Sequence, residues 1–194
     1  MPRVSREKTE QNRAAIEQAS SRLIREHGLS VSVADLMGAA GLTHGGFYGH
    51  FQSKDELTAI ACTTAFAEST ARWKKRISGA NDAKAARATL VEGYLSDHNR
   101  ATPGASCPLA ALVVDVAREE ADKPVRQAFN QGLERLVELL SAVQSSSEDS
   151  NRCRENAVVQ ISSMVGALVL ARATQGDPIS DEFLKTVRTR LLQE

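Results

Sequence analysis

The segment from residue 32 to residue 57 constrains the fold more than any other, because it contains start and stop signals for three helices. Ser32 and Asp35 have the spacing of a capping box, in which each side chain binds the other residue's backbone N–H. Ser53 and Glu56 repeat that spacing where a longer apolar pattern begins. The segment therefore predicts two short helices joined by a tight turn, followed by the start of a long helix.

The predicted turn has a glycine and a capping residue in the expected places. Gly41 can take the left-handed conformation that ends a helix, and Thr43 can cap the helix that follows. Phe47 and Phe51, four residues apart, can pack this second helix, expected at residues 43–50, against its neighbours. This is the pattern of a helix-turn-helix, whose second helix enters the major groove of DNA.

Four short runs stand at fixed spacing in this segment: Gly41-Leu-Thr, Phe47-Tyr48, His50-Phe51 and Ser53-Lys-Asp-Glu-Leu57. Together they resemble the amino-terminal domain of the tetracycline-repressor (TetR) family of bacterial regulators, over residues 10–60. The resemblance implies a DNA-binding helix-turn-helix domain at residues 1–55 and a ligand-binding and dimerisation domain at residues 56–194. The alternative is a helical corner in some other fold.

Apolar residues at helical spacing predict an all-α chain of about nine helices, since no segment alternates apolar and polar residues between hairpin turns. The first helix should end at Gly28, and a long one should run from Ser53 to Gly79. A fifth helix is expected from Asp82 to Arg100. Later helices are expected around 109–116, from Pro124, over 152–175 after a polar loop at 145–151, and from Pro178.

The eighth predicted helix is apolar on nearly all sides from Ala157 to Ala171. Such a helix must be buried on all sides, and we expect a second subunit to supply part of the cover. The alternative is the central core helix of a monomer. The resemblance favours a homodimer, because family members pair through their last two helices. The interface residues expected are Ile161, Val165, Leu168, Phe183, Leu184 and Val187.

The second short helix should meet DNA with small or polar residues at its amino end. Thr43 and His44 occupy that end, and Gly45 lets the backbone come close to DNA. The resemblance implies phosphate contacts from Tyr48, His50 and Lys54, although packing of Tyr48 beside the phenylalanines is an alternative. The DNA-binding residues expected are Ser32, Thr43, His44, Gly45, Tyr48, His50 and Lys54.

The sequence departs from the family pattern at Gly46 and Gly49, where larger side chains are usual. With Gly45 they each cost a helix roughly 1 kcal/mol relative to alanine. We therefore expect a weak helix with few side chains left to read bases.

The balance of 24 basic and 24 acidic residues argues against a protein that coats nucleic acid by charge alone. A basic arm at residues 1–13, with Arg3, Arg6, Lys8 and Arg13, is either an aid to DNA binding or a solvated tail. The first residues are polar and the apolar run at 157–173 is shorter than a membrane span, so we expect a cytoplasmic protein without membrane contact.

Candidate effector residues lie after the predicted DNA-binding domain, where the resemblance implies a site for a small molecule. They are Trp73, Tyr94, His98, Cys107 and Phe129. A mostly apolar pocket with few polar groups would suit an apolar or aromatic effector, although each residue taken singly is more typical of plain core packing. Cys107 follows a Pro-Gly break, where a thiol with a lowered pKa could sense oxidants.

The sequence contains no phosphate-binding glycine loop, His-Glu-x-x-His motif or nucleophile elbow, so we expect no enzyme, cofactor or metal site. Its three cysteines are too few and too scattered for a disulfide framework. The function expected is a ligand-responsive repressor that binds a palindromic DNA operator as a dimer and is released by its effector. The alternative is a small-molecule or Cys107-based redox sensor that no longer binds DNA.

Overall fold

The structure is a computed structural model that describes residues 6–144 and 149–193. Those residues form nine α-helices and no strand, which confirms the expected all-α class. Two short segments, His44–Gly49 and Pro103–Ala105, are 3₁₀ helices. The helices are α1 (Arg6–His27), α2 (Val33–Ala39), α3 (Lys54–Ser78), α4 (Ala83–Tyr94), α5 (Asp97–Ala101), α6 (Pro108–Arg118), α7 (Pro124–Ser141), α8 (Ser150–Ala173) and α9 (Pro178–Gln193).

The glycine predicted to end the first helix is also a contact point between the head and the body of the chain. Gly28 has φ +81°, which favours glycine, and a side chain there would overlap the Asp115 carboxylate on α6. That carboxylate accepts a hydrogen bond from Leu29 N at 3.1 Å. The end of α1 is thereby docked on α6.

Of the two predicted capping boxes, one forms fully. Ser32 Oγ accepts from Asp35 N and the Asp35 carboxylate accepts from Ser32 N, as predicted. Ser53 Oγ accepts from Glu56 N at 3.1 Å, but Glu56 accepts instead from the backbone N of Gln52, at 2.7 Å. The second box is therefore only half formed, although α3 still begins and ends where predicted.

The helix predicted over residues 43–50 is a shorter 3₁₀ helix, the 44–49 segment. Thr43 is its first flanking residue but makes no side-chain capping bond, which corrects that expectation. The glycines at 45, 46 and 49 account for the difference, because their weak helix propensity leaves little to favour a full α-helix.

The single helix predicted from Asp82 to Arg100 is divided into α4 and α5. Ser96 Oγ accepts from Asn99 N at 3.1 Å, and Asn99 Nδ2 donates to Tyr94 O at 2.7 Å. These side chains offer the backbone local partners that compete with a continuous helix. The chain therefore turns at Leu95 and restarts at Asp97.

Helix α8 has one buried face and one uncovered face, so it is not surrounded within one chain. Ile161, Met164 and Leu168 point into the chain's own core, whereas Val159 is 63% exposed and Leu170 46%. By length and composition α8 could cross a membrane, but core helices of soluble proteins share these properties, and 39% of its apolar 18-residue stretch is buried inside the protein. Of the expected loop at 145–151, positions 145–148 lie outside the described residues.

Part of the predicted interface is occupied by the chain itself. Ile161, Leu168 and Leu184 are buried in its own core, and their place in a dimer interface stays a prediction. Val165, Phe183 and Val187 are only partly buried.

The predicted basic arm is also corrected. Its residues from 6 onward belong to α1, and Arg3 lies outside the described residues. Arg6 pairs with Glu10, one turn further along the helix.

Candidate nucleic-acid interface and core cluster

The predicted DNA-contacting residues at the helix-turn-helix are mostly exposed. Thr43, His44 and Gly45 are exposed, as is Ser32, whose hydroxyl takes part in the capping box. The ring of Tyr48 meets Phe47 edge-on at 5.2 Å between centroids, yet Tyr48 is 75% exposed. Packing against Phe47 alone therefore does not explain why an aromatic side chain stands at position 48. Phe47 and its neighbour Phe51 supply the buried contacts instead.

His50 and Lys54 are less accessible than the other predicted contacts, since both are half-buried. His50 N donates to Phe47 O at 2.9 Å, which closes the 44–49 segment. Its Nδ1 is buried without a hydrogen-bond partner among the described atoms. The two residues therefore present only part of their side chains to a ligand.

Arg13, predicted as part of a basic arm, is directed into the head. Its guanidinium lies 4.4 Å from the centre of the Phe51 ring and donates to the backbone oxygen of His50. It also pairs with Glu17 at 3.0 Å and Glu56 at 3.4 Å. Arg13 thus ties the end of the 44–49 segment to α1 and α3. Arg13 stands three residues before the buried Ile16, so the two share one face of α1. This spacing was the signal in the sequence that Arg13 is directed inward.

Three of the five candidate effector residues meet in the core. The rings of Trp73 and Tyr94 are edge-to-face with centroids 6.3 Å apart, and the Tyr94 phenol lies beside the Cys107 thiol. All three residues are buried, and Tyr94 Oη has no hydrogen bond of good geometry to any described atom. We call this group the core cluster.

The other two candidates lie elsewhere. Phe129 packs edge-on against Phe66, at 5.4 Å between ring centroids, where α7 meets α3. His98 is exposed on α5, apart from the core cluster, and its place on a pocket wall stays a prediction. The short α5 restarts after the break at Leu95, and the sequence pattern of one continuous helix concealed this.

The electrostatics of the core cluster disfavour a reactive thiol. Burial raises the pKa of Cys107, and nearby Arg72 lowers it by less. Burial also raises the pKa of Cys62 to about 12 and that of Tyr94 well above its usual value. Because a thiol sensor needs a lowered pKa, the redox alternative gains no support here.

A second contact joins the head to the body beside a cavity of about 50 Å³. Lys123 Nζ lies 2.8 Å from the Asp55 carboxylate, and this hydrogen bond raises the pKa of Lys123. The pair links the start of α3 to the segment between α6 and α7. Within 6–144 and 149–193, no group of three or more His, Cys, Asp or Glu residues is placed to hold a metal ion.

Residues 16–59 match the family model described as bacterial regulatory proteins, tetR family. No curated protein matches the chain significantly. A TetR-family regulator from Cytophaga hutchinsonii is similar in structure, with a TM-score of 0.78 and 19% identity over 99% of this chain and 97% of that one. A TetR-family regulator from Agrobacterium tumefaciens has a TM-score of 0.76 and 19% identity, over 95% and 97%.

The reduced form of NemR from E. coli is a further structural neighbour, with a TM-score of 0.77 and 18% identity over 93% of this chain and 95% of that one. At these identities the likeness of the whole chains shows a shared fold. The family match itself covers the helix-turn-helix and the start of α3.

Proposed function

We propose that this chain represses transcription. The premise is that residues 16–59 make it a member of the tetR family of bacterial regulatory proteins. In this proposal a homodimer binds a palindromic DNA operator in the cytoplasm and leaves it when a small apolar or aromatic molecule binds the body. The observation that carries the proposal is the exposed set around Tyr48, an aromatic residue left 75% accessible beside a well-packed Phe47.

The chemistry of the exposed set suits both kinds of DNA contact. Thr43 and His44 carry side-chain groups that can donate or accept at base edges. The Tyr48 hydroxyl and the Lys54 ammonium suit phosphate oxygens, contacts that position a protein without reading sequence. Gly45 and Gly46 have no side chain that would keep the backbone from the groove. Direct readout therefore falls mainly to Thr43 and His44.

The uncovered face of α8 supports the homodimer. Val159, Ser162, Gly166 and Leu170 recur at intervals of three or four residues and so share one side of the helix. An added side chain at Gly166 would meet nothing within 4 Å in the single chain. A second copy packed here, together with α9, would bury this face and hold two heads at successive major grooves, about 34–36 Å apart.

The core cluster is the proposed effector site. Trp73 and Tyr94 provide flat apolar surface, and Tyr94 Oη provides an unused hydrogen-bonding group. An effector can release DNA only by binding one conformation better than the other, and a coupling of about 1–3 kcal/mol is typical.

The test is selection of duplexes from a random DNA library, followed by affinity measurements at one fixed salt concentration. We expect the wild type to enrich a palindrome, and we expect His44→Ala and Tyr48→Phe to weaken its binding about tenfold or more. His98→Ala is the matched control, because His98 is exposed on α5 in the body. Equal affinity for all four proteins would refute the assignment. Failure to enrich any sequence would leave the sensing alternative.

A further inference from the structure

Three arginines from distant parts of the chain converge on one serine. Arg25 Nη1 of α1 donates to Ser106 O at 3.0 Å, and Arg72 Nη2 of α3 donates to the same oxygen at 3.3 Å. Arg172 Nη2 of α8 donates to Ser106 Oγ at 2.6 Å. We call these four residues the Ser106 junction. It connects the helix-turn-helix head, the long helix α3 and the helix with the uncovered face.

Arg25 is held rigidly at the head side of the junction. Its side chain is 2% exposed, and its Nη2 lies 2.6 Å from the Glu68 carboxylate. Its Nε donates to Ser21 O at 3.0 Å, within α1. A buried guanidinium with this many partners has little freedom, so α1 must follow the position of Ser106.

Arg172 is anchored equally well at the body side. Besides the Ser106 hydroxyl it binds Asn99 O at 2.7 Å and Arg100 O at 3.3 Å, near the carboxyl end of α5. Burial lowers the pKa of Arg172, and among the described residues the carboxylate paired with the junction is that of Glu68, which contacts Arg25 and Arg72. Arg172 therefore donates its hydrogen bonds to two backbone oxygens and the Ser106 hydroxyl.

The chain around Ser106 is pressed closely against α1. Gly104 is buried, and a side chain there would overlap Glu26 on the last turn of α1. Ser106 itself is 2% exposed. The Glu26 side chain packs directly on the backbone at Gly104, so a shift of the segment acts directly on α1.

We propose that Ser106 and Arg172 are positioning residues for DNA binding, which set the orientation of the head through Arg25 although neither belongs to the head. This inference rests on the proposed function. Two chains are proposed to meet at α8. A movement of α8 would be transmitted to α1 by the Arg172–Ser106 and Ser106–Arg25 hydrogen bonds.

The test measures DNA affinity of Arg172→Met, Ser106→Ala and the double variant, at a temperature where circular dichroism shows each fully folded. Reduced stability alone does not change affinity under that condition. We expect each single variant to bind about tenfold more weakly, the loss expected of one hydrogen bond of moderate strength. Because they act through one contact, the double variant should bind little worse than either single variant.

Arg154→Met is the matched control, since Arg154 is on the same helix and pairs with Glu134 at 2.7 Å. It should bind DNA like the wild type. If Arg172→Met does not fold, Arg172→Lys replaces it, because an ammonium keeps the charge but cannot bridge the same three acceptors. Wild-type affinity in Arg172→Met or Arg172→Lys, or fully additive losses in the double variant, would show the proposal to be wrong.

Hydrogen exchange without DNA separates this proposal from the proposed function. In Arg172→Met the amides of residues 24–29 should exchange about tenfold faster than in the wild type, since loss of the junction frees the last turn of α1. Arg154→Met should leave them unchanged. If the wild type selects no DNA, the proposed function fails and exchange alone decides: equal rates in both variants would overturn the junction's role.

Discussion

At the scale of single residues, the difference between a solvated charge and a structural one depends on long-range contacts. Arg6 and Arg13 look alike in the sequence, yet Arg6 is 94% exposed in its side chain whereas Arg13 contacts Phe51, His50 and Glu56. Only the three-dimensional position of the segment after Tyr48 distinguishes them. Arg13 should therefore affect DNA binding without touching DNA.

We expect Arg13→Met to weaken DNA binding about tenfold, because the end of the 44–49 segment loses its tie to α1. The dependence of affinity on salt should not change, whereas loss of a direct phosphate contact would lower that slope by about 1. Affinity measured over a series of salt concentrations distinguishes the two. Arg6→Met is the control, and a lowered slope in Arg13→Met would contradict the positioning role.

The cysteines provide a second prediction at this scale. At pH 7 iodoacetamide should modify the half-exposed Cys153 first, because Cys62 and Cys107 are buried and burial raises the pKa of both thiols. Mass spectrometry of the native and the urea-unfolded chain measures the order. Native Cys107 reacting as fast as Cys153 would revive the thiol-sensing alternative.

At the scale of elements, the sequence predicts what local chemistry decides. Gly28, Gly41 and Ser53 mark helix ends that depend on neighbouring backbone groups, and all three ends are found where expected. The break after Tyr94 was missed, since the polar run at 96–100 contains no glycine or proline to mark it. The Ser106 junction could not be predicted, because Arg25 and Ser106 are 81 residues apart and a contact of that range leaves no local pattern.

The 44–49 segment gives a prediction with an internal control. Gly49 lacks positive φ and an added Cβ would meet nothing within 4 Å, so Gly49→Ala should stabilise the chain by about 0.4–1 kcal/mol. Gly41 has equal space but φ +72°, so Gly41→Ala should destabilise it. Urea unfolding measures both. A loss of stability in Gly49→Ala would mean that the segment needs its glycines for more than flexibility.

At the scale of the whole molecule, the uncovered face of α8 supports the proposed homodimer. Gly166→Arg should leave the fold of each chain intact, because the space beside Gly166 is open. In a dimer it would place a charge between helices, where an unpaired charge is very costly. Light scattering should therefore show wild-type dimers and Gly166→Arg monomers, with Gln127→Arg on α7 as a dimeric control. A monomeric wild type at micromolar concentration would refute the dimer.

Because α3 is long and unbroken, a small tilt of the helix would move its amino end by several ångströms. Its 25 residues make a rod about 37 Å long, with one end next to the 44–49 segment and the other in the body. A tilt of about 5° about the body end would move the other end by about 3 Å, close to the 3.4 Å rise between successive base pairs. In the proposed regulator, a small tilt of α3 within the body would therefore displace the head by about one base-pair step along DNA.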